Sequence, residues 1–336
     1  MFHTNNIKMS LLQVILDMHM CATYNLYSYG LYRGDMTPVD ASIIILTKNG
    51  GDNFPRLLER MYSQQYQGSF EVIVIDSGST DDTLATAKKY PIRLEQIPPE
   101  QFHHGRTRNL GAELAVGQYL VYITQDALPL DDNWLQNLTT NFNDPQVAMV
   151  VGRQIPWEST KPPEKFFYYF NFPEFRLVVK SSADDYYHDN VFISNVNAAY
   201  RKDILFKIRF NDDIVMAEDK MIAAHILSDG GTIIYEPLAA VYHAHDLGIR
   251  EAFNKSLDYG LALRQGASSL AKSRRSLAER TGAYLAAEIK FLNQKKCWHW
   301  LPYALVYETT KYTGHFLGNA GLAKGSMYKM RQRTHD

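Results

Sequence analysis

The chain has 336 residues, 46% of them hydrophobic and 21% charged, which is ordinary globular composition and enough to bury one large core or two smaller ones. A formal net charge of -1 argues against a nucleic-acid partner held by bulk electrostatics, and the two cysteines, Cys21 and Cys297, argue against a disulfide framework and for a reducing compartment. No uninterrupted apolar run approaches the roughly 18 to 20 residues that span a bilayer, so a soluble or peripheral protein is expected.

Residues 1–40 stand apart from the rest of the chain. The stretch Met9–Met20 is partly apolar but is interrupted by Asp17 and His19, and no basic start or small-residue cleavage site marks a signal peptide. Met36 stands just before Thr37-Pro38-Val39-Asp40 and the first clear strand, which makes it a candidate natural start. The run Ala41–Leu46 (ASIIIL) is β-branched and continuous, as in a strand buried on both faces of a largely parallel sheet. A polar exit, Thr47-Lys48-Asn49-Gly50-Gly51, leads into a helix over about 53–65 with Phe54, Leu57, Leu58 and Met61 on one face. A second strand, Glu71–Ile75, ends on Asp76, and the turn after it enters a helix for which Asp81 and Asp82 read as caps. Asp76 reads differently, as a contact to a nucleotide base or ribose, because open α/β sheets bind ligands beyond the carboxyl ends of their strands. Neither GxGxxG nor GxxxxGK[ST] occurs after these strands, which leaves folds that bind nucleotide diphosphates through a metal and side chains.

The stretch Phe102–Pro129 (FHHGRTRNLGAELAVGQYLVYITQDALP) predicts a Gly-marked loop at His104-Gly105, a helix over about 107–116, and a buried strand Tyr119–Thr124 that leads to Asp126. That carboxylate, just past a strand tip, is the first candidate for chemistry. A helix over 134–142 and a strand over 147–151 come next. From Arg153 to Asp189 periodicity is lost among Pro156, Pro162, Pro163 and Pro173, which reads as a binding loop, a lid or a structural insertion. Asn195 and Asn197 in FISNVNAAY could donate hydrogen bonds to ligand hydroxyls or simply satisfy a bend. Glu218 and Asp219 open a helix, where adjacent acids ordinarily cap it. A strand ending at Tyr242 runs into His243-Ala244-His245, whose spacing puts both imidazoles on one side if the strand continues. By itself His-x-His is a weak metal signal.

Beyond Ile249 the chain reads as helices over about 249–270, 277–292 and 298–317, with basic residues outnumbering acidic ones. Lys295, Lys296, Trp298, His299, Trp300, Tyr303 and Tyr307 mix cations with aromatics, as on a surface that rests on an anionic leaflet, while Pro302 and the broken periodicity suit a helix packed on the main body. The chain's 22 Tyr, 16 Phe and 4 Trp fit either core packing or sugar stacking.

Four segments, IIILTKNGG, VIVIDSGSTDDT, HHGRTRNLGAELAVGQYLVYITQDALP and AEDKMIAAHILSDGGTIIYEPLAAVYHAH, resemble in order and spacing the family 2 inverting glycosyltransferases of the GT-A fold, over about Ala41 to Leu247. The likeness is to the bacterial rhamnosyltransferase branch that builds surface polysaccharides, in which TQDA takes the place of Asp-x-Asp. The resemblance implies a nucleoside contact at Asp76, a nucleotide or diphosphate contact at Arg108, and a metal–diphosphate contact at Asp126. Asp219 is then the general base, assisted by Glu218, and Thr47, Asn49 and Gln125 join the donor site. His243, and after it His245, would complete the metal's ligands, and Asn195 and Asn197 would lie beside the sugar. This chain departs from the pattern at Gln125 and Thr124, where carboxylates are usual, which weakens the case for a metal.

The resulting expectation is an α/β chain of GT-A type with a mostly parallel central sheet flanked by helices. It divides into an N-terminal extension (1–40), a catalytic domain (41–248) and a helical C-terminal region (249–336). The implied reaction moves L-rhamnose from dTDP-L-rhamnose onto a hydroxyl of a glycan or polyprenyl-linked saccharide, with Mg2+ or Mn2+, in the cytoplasm and at the inner face of the plasma membrane. Two rivals are a nucleotidyltransferase acting on sugar phosphates and a carbohydrate-binding relative that has lost turnover.

Overall fold

The computed structural model describes residues 39–180, 193–212, 214, 216–266 and 277–323. The expectations for residues 1–38, including a start at Met36, fall outside this range. The first strand, β1 (Ala41–Thr47), shows why its sequence carries no polar interruption. Ile43 and Ile45 enter one core layer and Ile44 the other, and all three are fully buried. A strand covered on both faces has no polar side to alternate with.

β1 lies in parallel between β2 (Phe70–Asp76) and β4 (Tyr119–Thr124), and β2 pairs in parallel with β3 (Arg93–Gln96). Helix α1 (Asn53–Tyr62) covers one face with Phe54, Leu57, Leu58 and Met61, the four positions expected, though it stops before Gln65. A short α2 (Thr83–Ala87) comes after β2. Helix α3 (His104–Leu114) covers the other face and begins earlier than the expected Thr107. It sits so close to the sheet that a Cβ on Gly111 would stand 2.5 Å from Ile44 Cγ2.

The other half of the sheet is mixed. After the short β5 (Leu128–Pro129), α4 (Trp134–Thr139) continues as a 3-10 turn through Thr140–Asn143. β6 (Val147–Ile155) then runs past the expected Val151. The stretch expected to be aperiodic holds α5 (Pro162–Asn171) and β7 (Leu177–Val179). Its prolines hid a helix because Pro162 and Pro163 occupy the first turn of α5, where no backbone N–H is needed. β8 (Asn197–Arg201) runs antiparallel between β4 and β6 and leads into α6 (Lys202–Ile208). Helix α7 (Glu218–Ser228) precedes β9 (Thr232–Tyr242), which is parallel to β6 and antiparallel to β5 and β7. The order is β3-β2-β1-β4-β8-β6-β9-β5, with β7 against β9. A mostly parallel sheet therefore holds for β3-β2-β1-β4 and gives way beyond it.

This topology decides where ligands can go. β1, β2, β4, β6 and β9 all point the same way, so Thr47, Asp76, Thr124, Ile155 and Tyr242 end on one edge of the sheet. Because β8 runs the other way, its amino end, with Asn195 just before it, returns to that same edge.

Past β9 come α8 (Ile249–Gln265), α9 (Leu277–Gln294), a 3-10 turn at Trp298–Trp300 and α10 (Leu301–Ala320). α8 and α10 close on each other at glycines: a Cβ on Gly314 would stand 2.6 Å from the Phe253 carbonyl, and one on Gly318 2.2 Å from that of Leu257. α9 packs on α5 through Phe166, whose ring lies 4.9 Å from Tyr284 and 5.5 Å from Phe291. Among the described residues no helix is long and apolar enough to cross a membrane.

One expected sugar contact is a core tie instead. Asn197 is fully buried; its Oδ1 accepts from Trp134 Nε1 at 2.9 Å, and its Nδ2 donates to the Ala239 carbonyl at 2.8 Å and to that of Arg153 at 3.3 Å. Both polar atoms are used in holding β8 to α4, β9 and β6, which removes Asn197 from the ligand site. Asn197→Ala would leave the Trp134 donor and the Ala239 acceptor without partners, at an expected cost of about 2 to 4 kcal/mol of stability in urea unfolding. A cost near zero would mean that water replaces the amide.

Candidate active site

Asp126 lies two residues beyond β4, and β9 ends immediately before His243. Asp126 Oδ2 is 3.7 Å from His243 Nε2 and 3.6 Å from His245 Nε2, and one ligand atom from each of the three residues falls within 4.8 Å of the others. These separations are too long for hydrogen bonds and leave room for a cation between the three groups. Burial drives His243 down to about 3 against the pull of Asp126, and burial followed by Lys255 lowers His245, so both rings are neutral and present a lone pair. Burial opposes ionisation of Asp126, but His243, Thr124 and His245 together outweigh it and hold its carboxyl below the usual range. One carboxylate and two neutral imidazoles thus fit a divalent cation. The strand does not continue through the histidines, as the spacing argument assumed. β9 ends at Tyr242, although His243 N still donates to the Ile155 carbonyl at 2.9 Å, and both rings face Asp126 at 85° to one another.

Sequence reasoning missed Gln154. It sits on β6 opposite Val241 of β9, is buried, and places Oε1 2.9 Å from His243 Nδ1. Accepting from Nδ1–H, it fixes the tautomer that turns the bare Nε2 toward Asp126. A glutamine beside Arg153 in an otherwise apolar strand was the available signal, but no motif marks it.

The second cluster begins at Ala217, whose φ of 65° and ψ of 22° put a non-glycine residue in the left-handed region at the start of α7. The next residue, Glu218, is buried and takes Arg108 Nη1 of α3 at 2.7 Å and Asn195 Nδ2 at 3.3 Å on Oε1. Tyr200 in turn donates to Asn195 Oδ1 at 2.6 Å. The residues expected to touch diphosphate and sugar, Arg108 and Asn195, are here turned onto Glu218. Burial alone would raise the Glu218 carboxyl, but Arg108 leads the groups that bring it below its ordinary value. Asp219, partly exposed, accepts from the Lys220 N–H at 2.8 Å, and burial together with the neighbouring Glu218 charge pushes it up to about 7. Two adjacent carboxyls are thereby driven apart, one ionised and one poised near neutrality, as an acid–base site requires. Thr124 N donates to the Val196 carbonyl at 3.3 Å, so Asn195, and with it Glu218, lies at the β4 tip that leads to Asp126.

A third group forms a rim along the ends of β1 and β2. Gln125 Oε1 accepts from Thr47 Oγ1 at 2.6 Å and Lys48 N at 2.9 Å, while its Nε2 donates to the Lys48 carbonyl at 3.1 Å. Where a carboxylate is usual, an amide staples β4 to β1. Asn49 Oδ1 accepts from Thr80 N at 2.8 Å. Asp76 is fully buried, its Oδ2 accepting from Gly78 N and Ser79 N at 3.0 Å each and its Oδ1 from the Ser79 hydroxyl. Asp81 accepts from Thr83 N at 3.1 Å at the start of α2, whereas Asp82, which occupies the cap position, makes no side-chain cap hydrogen bond.

The sequence matches the Glycosyl transferase family 2 description over residues 42–209. It is 32% identical over 282 residues to the O-antigen chain rhamnosyltransferase RfbN of Salmonella typhimurium (strain LT2), a match covering 82% of this chain and 88% of that one. The chain belongs to glycosyl transferase family 2. Another relative, the O-antigen chain rhamnosyltransferase WbaN of Salmonella anatum, is 30% identical with the same coverage of 82% and 88%. The fold is similar to that of mannosyltransferase PcManGT from Pyrobaculum calidifontis, solved in complex with GDP-Man and Mn2+: the TM-score is 0.52 at 20% identity, over 97% of this chain and 89% of that one. This family 2 glycosyltransferase accordingly has the GT-A architecture, with its helical C-terminal region attached.

The Asp219 environment has a measurable signature. With its carboxyl raised to about 7 in the folded protein and near about 4 when unfolded, the stability it contributes is present below pH ~4 and lost as pH rises through ~7. Asp219→Asn is therefore expected to raise Tm relative to the native chain increasingly from about pH 5 to about pH 8. A difference independent of pH would mean that Asp219 titrates normally.

Proposed function

We propose that this glycosyltransferase moves L-rhamnose from dTDP-L-rhamnose onto a hydroxyl of a cell-surface saccharide under construction, with inversion at the transferred carbon. The observation that carries the reaction type is the split carboxyl pair: Asp219 raised to about 7 beside an ionised Glu218, at the sheet edge that also gathers Asp126, His243 and His245. The choice of rhamnose draws its support from the two relatives that are named rhamnosyltransferases and are matched over most of their length.

In this reading the nucleoside lies along the rim of Thr47, Asn49, Asp76 and Gln125, with Asp76 and Gln125 holding the rim's shape. Asp219 takes the proton of the acceptor hydroxyl, whose oxygen bonds to the anomeric carbon as the bond to the diphosphate oxygen on the opposite face breaks. Glu218 keeps Asp219 basic, and Arg108 and Asn195 keep Glu218 in place. Asp126, His243 and His245 would hold Mn2+ or Mg2+, which offsets the negative charge on the leaving diphosphate. Two imidazoles in the set favour Mn2+ over Mg2+. Two incubations separate the rivals: a nucleotidyltransferase releases pyrophosphate from dTTP and a sugar 1-phosphate but no dTDP from donor and acceptor, and an inactive relative releases no dTDP even by slow hydrolysis.

Asp219→Asn is expected to lower turnover by about 10² to 10⁴-fold with donor affinity little changed, and the native rate should rise with pH through about 7. Surviving turnover would exclude Asp219 as the base. Asp126→Ala should abolish the gain in dTDP affinity that Mn2+ confers. Gln154→Leu should weaken Mn2+ binding, followed by electron paramagnetic resonance, by about 10 to 100-fold. Unaltered Mn2+ affinity in both variants would place the cation elsewhere.

A further inference from the structure

For a helix at a protein surface, α10 is inside out. Its acidic and basic side chains face inward: Glu308 is 2% exposed and accepts from Lys311 Nζ at 2.8 Å. Its exposed positions, among them Pro302, Leu305, Val306, Thr309, Thr313 and Phe316, carry no charge, with Leu305 63% and Phe316 62% exposed. A surface helix ordinarily has the opposite arrangement. Trp298 before the helix and Leu322 after it are also exposed and lengthen the uncharged face. Such a face, along a helix of about 30 Å, lacks a partner within the described residues.

The chain leading into it is basic. Lys290, Lys295 and Lys296 are exposed at the end of α9, and the single carboxylate between residues 289 and 322, Glu308, is buried. The sequence after the described region continues the bias, with Lys324, Lys329, Arg331 and Arg333 against Asp336. Tyr307, which the sequence offered as an interfacial aromatic, is instead buried and donates to Glu164 at 3.0 Å.

We infer that the outward face of α10 docks on an anionic membrane surface, with Leu305, Val306 and Phe316 in the interfacial layer and the lysines on lipid phosphates. An uncharged helix face preceded by lysines and free of exposed carboxylates is complementary to anionic headgroups. A second copy of the chain on this face would bring lysines toward lysines, with no exposed carboxylate in the segment to meet them.

The test is co-sedimentation of the full chain with vesicles of phosphatidylcholine alone and of phosphatidylcholine mixed with phosphatidylglycerol. It needs neither donor nor acceptor, so its outcome is separate from that of the transfer reaction. Binding is expected on the mixed vesicles and should weaken with salt. Leu305→Asp with Phe316→Asp should lower the partition coefficient by about tenfold or more, and Lys295→Glu with Lys296→Glu by about fivefold per residue, with the thermal unfolding of both variants unchanged. Equal binding by native chain and variants, or no binding to the mixed vesicles, overturns the proposal. So does a dimer in vesicle-free solution that Leu305→Asp with Phe316→Asp dissociates, which would assign the face to a second copy.

Discussion

The ion pair between Arg108 and Glu218, at 2.7 Å and largely buried, is the interaction on which the rest of the site depends. Removing one member of such a pair leaves an uncompensated buried charge, at about 3 to 5 kcal/mol, so the pair is held only where its surroundings fix both ends. Those surroundings are specific. The Arg108 carbonyl accepts from the Tyr122 hydroxyl at 3.0 Å, which ties α3 to β4, and Gly111 lets the same helix lie against β1. Glu218 is held in turn by Asn195 and by the left-handed turn at Ala217. Burial, and after it the ionised and immobile Glu218, keep the next carboxyl along the helix from ionising as readily, and Asp219 acquires the basicity of a group that works near neutral pH.

The side of the site around Asp126 is built by a different means. Parallel pairing of β6 with β9 sets Gln154 beside the end of β9, and the Gln154 amide then fixes which nitrogen of His243 faces Asp126. Just beyond the tip of β4 the chain places Gln125 where the family has a carboxylate, and that amide fastens β4 to β1. One anion is thus exchanged for a mechanical tie, while two imidazoles face the remaining carboxylate. The clusters around Asp126 and Glu218 share an edge because β8 runs against β4, so that the residues preceding β8 come back to the tip from which Asp126 projects.

The C-terminal helices obey the same economy of burial. α8 and α10 approach at Gly260, Gly314 and Gly318, so closely that any side chain there would strike a carbonyl. Close backbone contact uses up the small-residue face of α10 and draws Glu308 and Lys311 inward, and the apolar side chains are left outside. An arrangement that serves packing within the chain therefore creates an outward surface unlike that of an ordinary soluble helix.

Much was legible in the sequence. The run ASIIIL shows a strand buried on both faces, Phe54, Leu57, Leu58 and Met61 show the buried side of a helix, and the position of Asp126 beyond a hydrophobic strand shows a carboxylate at the ligand edge, because each of these comes from local periodicity. The mixed half of the sheet was not legible, since a short buried strand such as NAAYR carries no mark of its direction, and α5 was hidden because prolines in a first turn look like helix breakers. Tertiary structure alone decided that Arg108 and Asn195 meet Glu218, that Asn197 belongs to the core, and that Gln154 orients His243. Partners 110, 23 and 89 residues apart in the chain leave no local pattern. The physical reason is that periodicity records which side of an element is buried, whereas hydrogen bonds and ion pairs between elements depend on strand order and direction, which only the folded chain fixes.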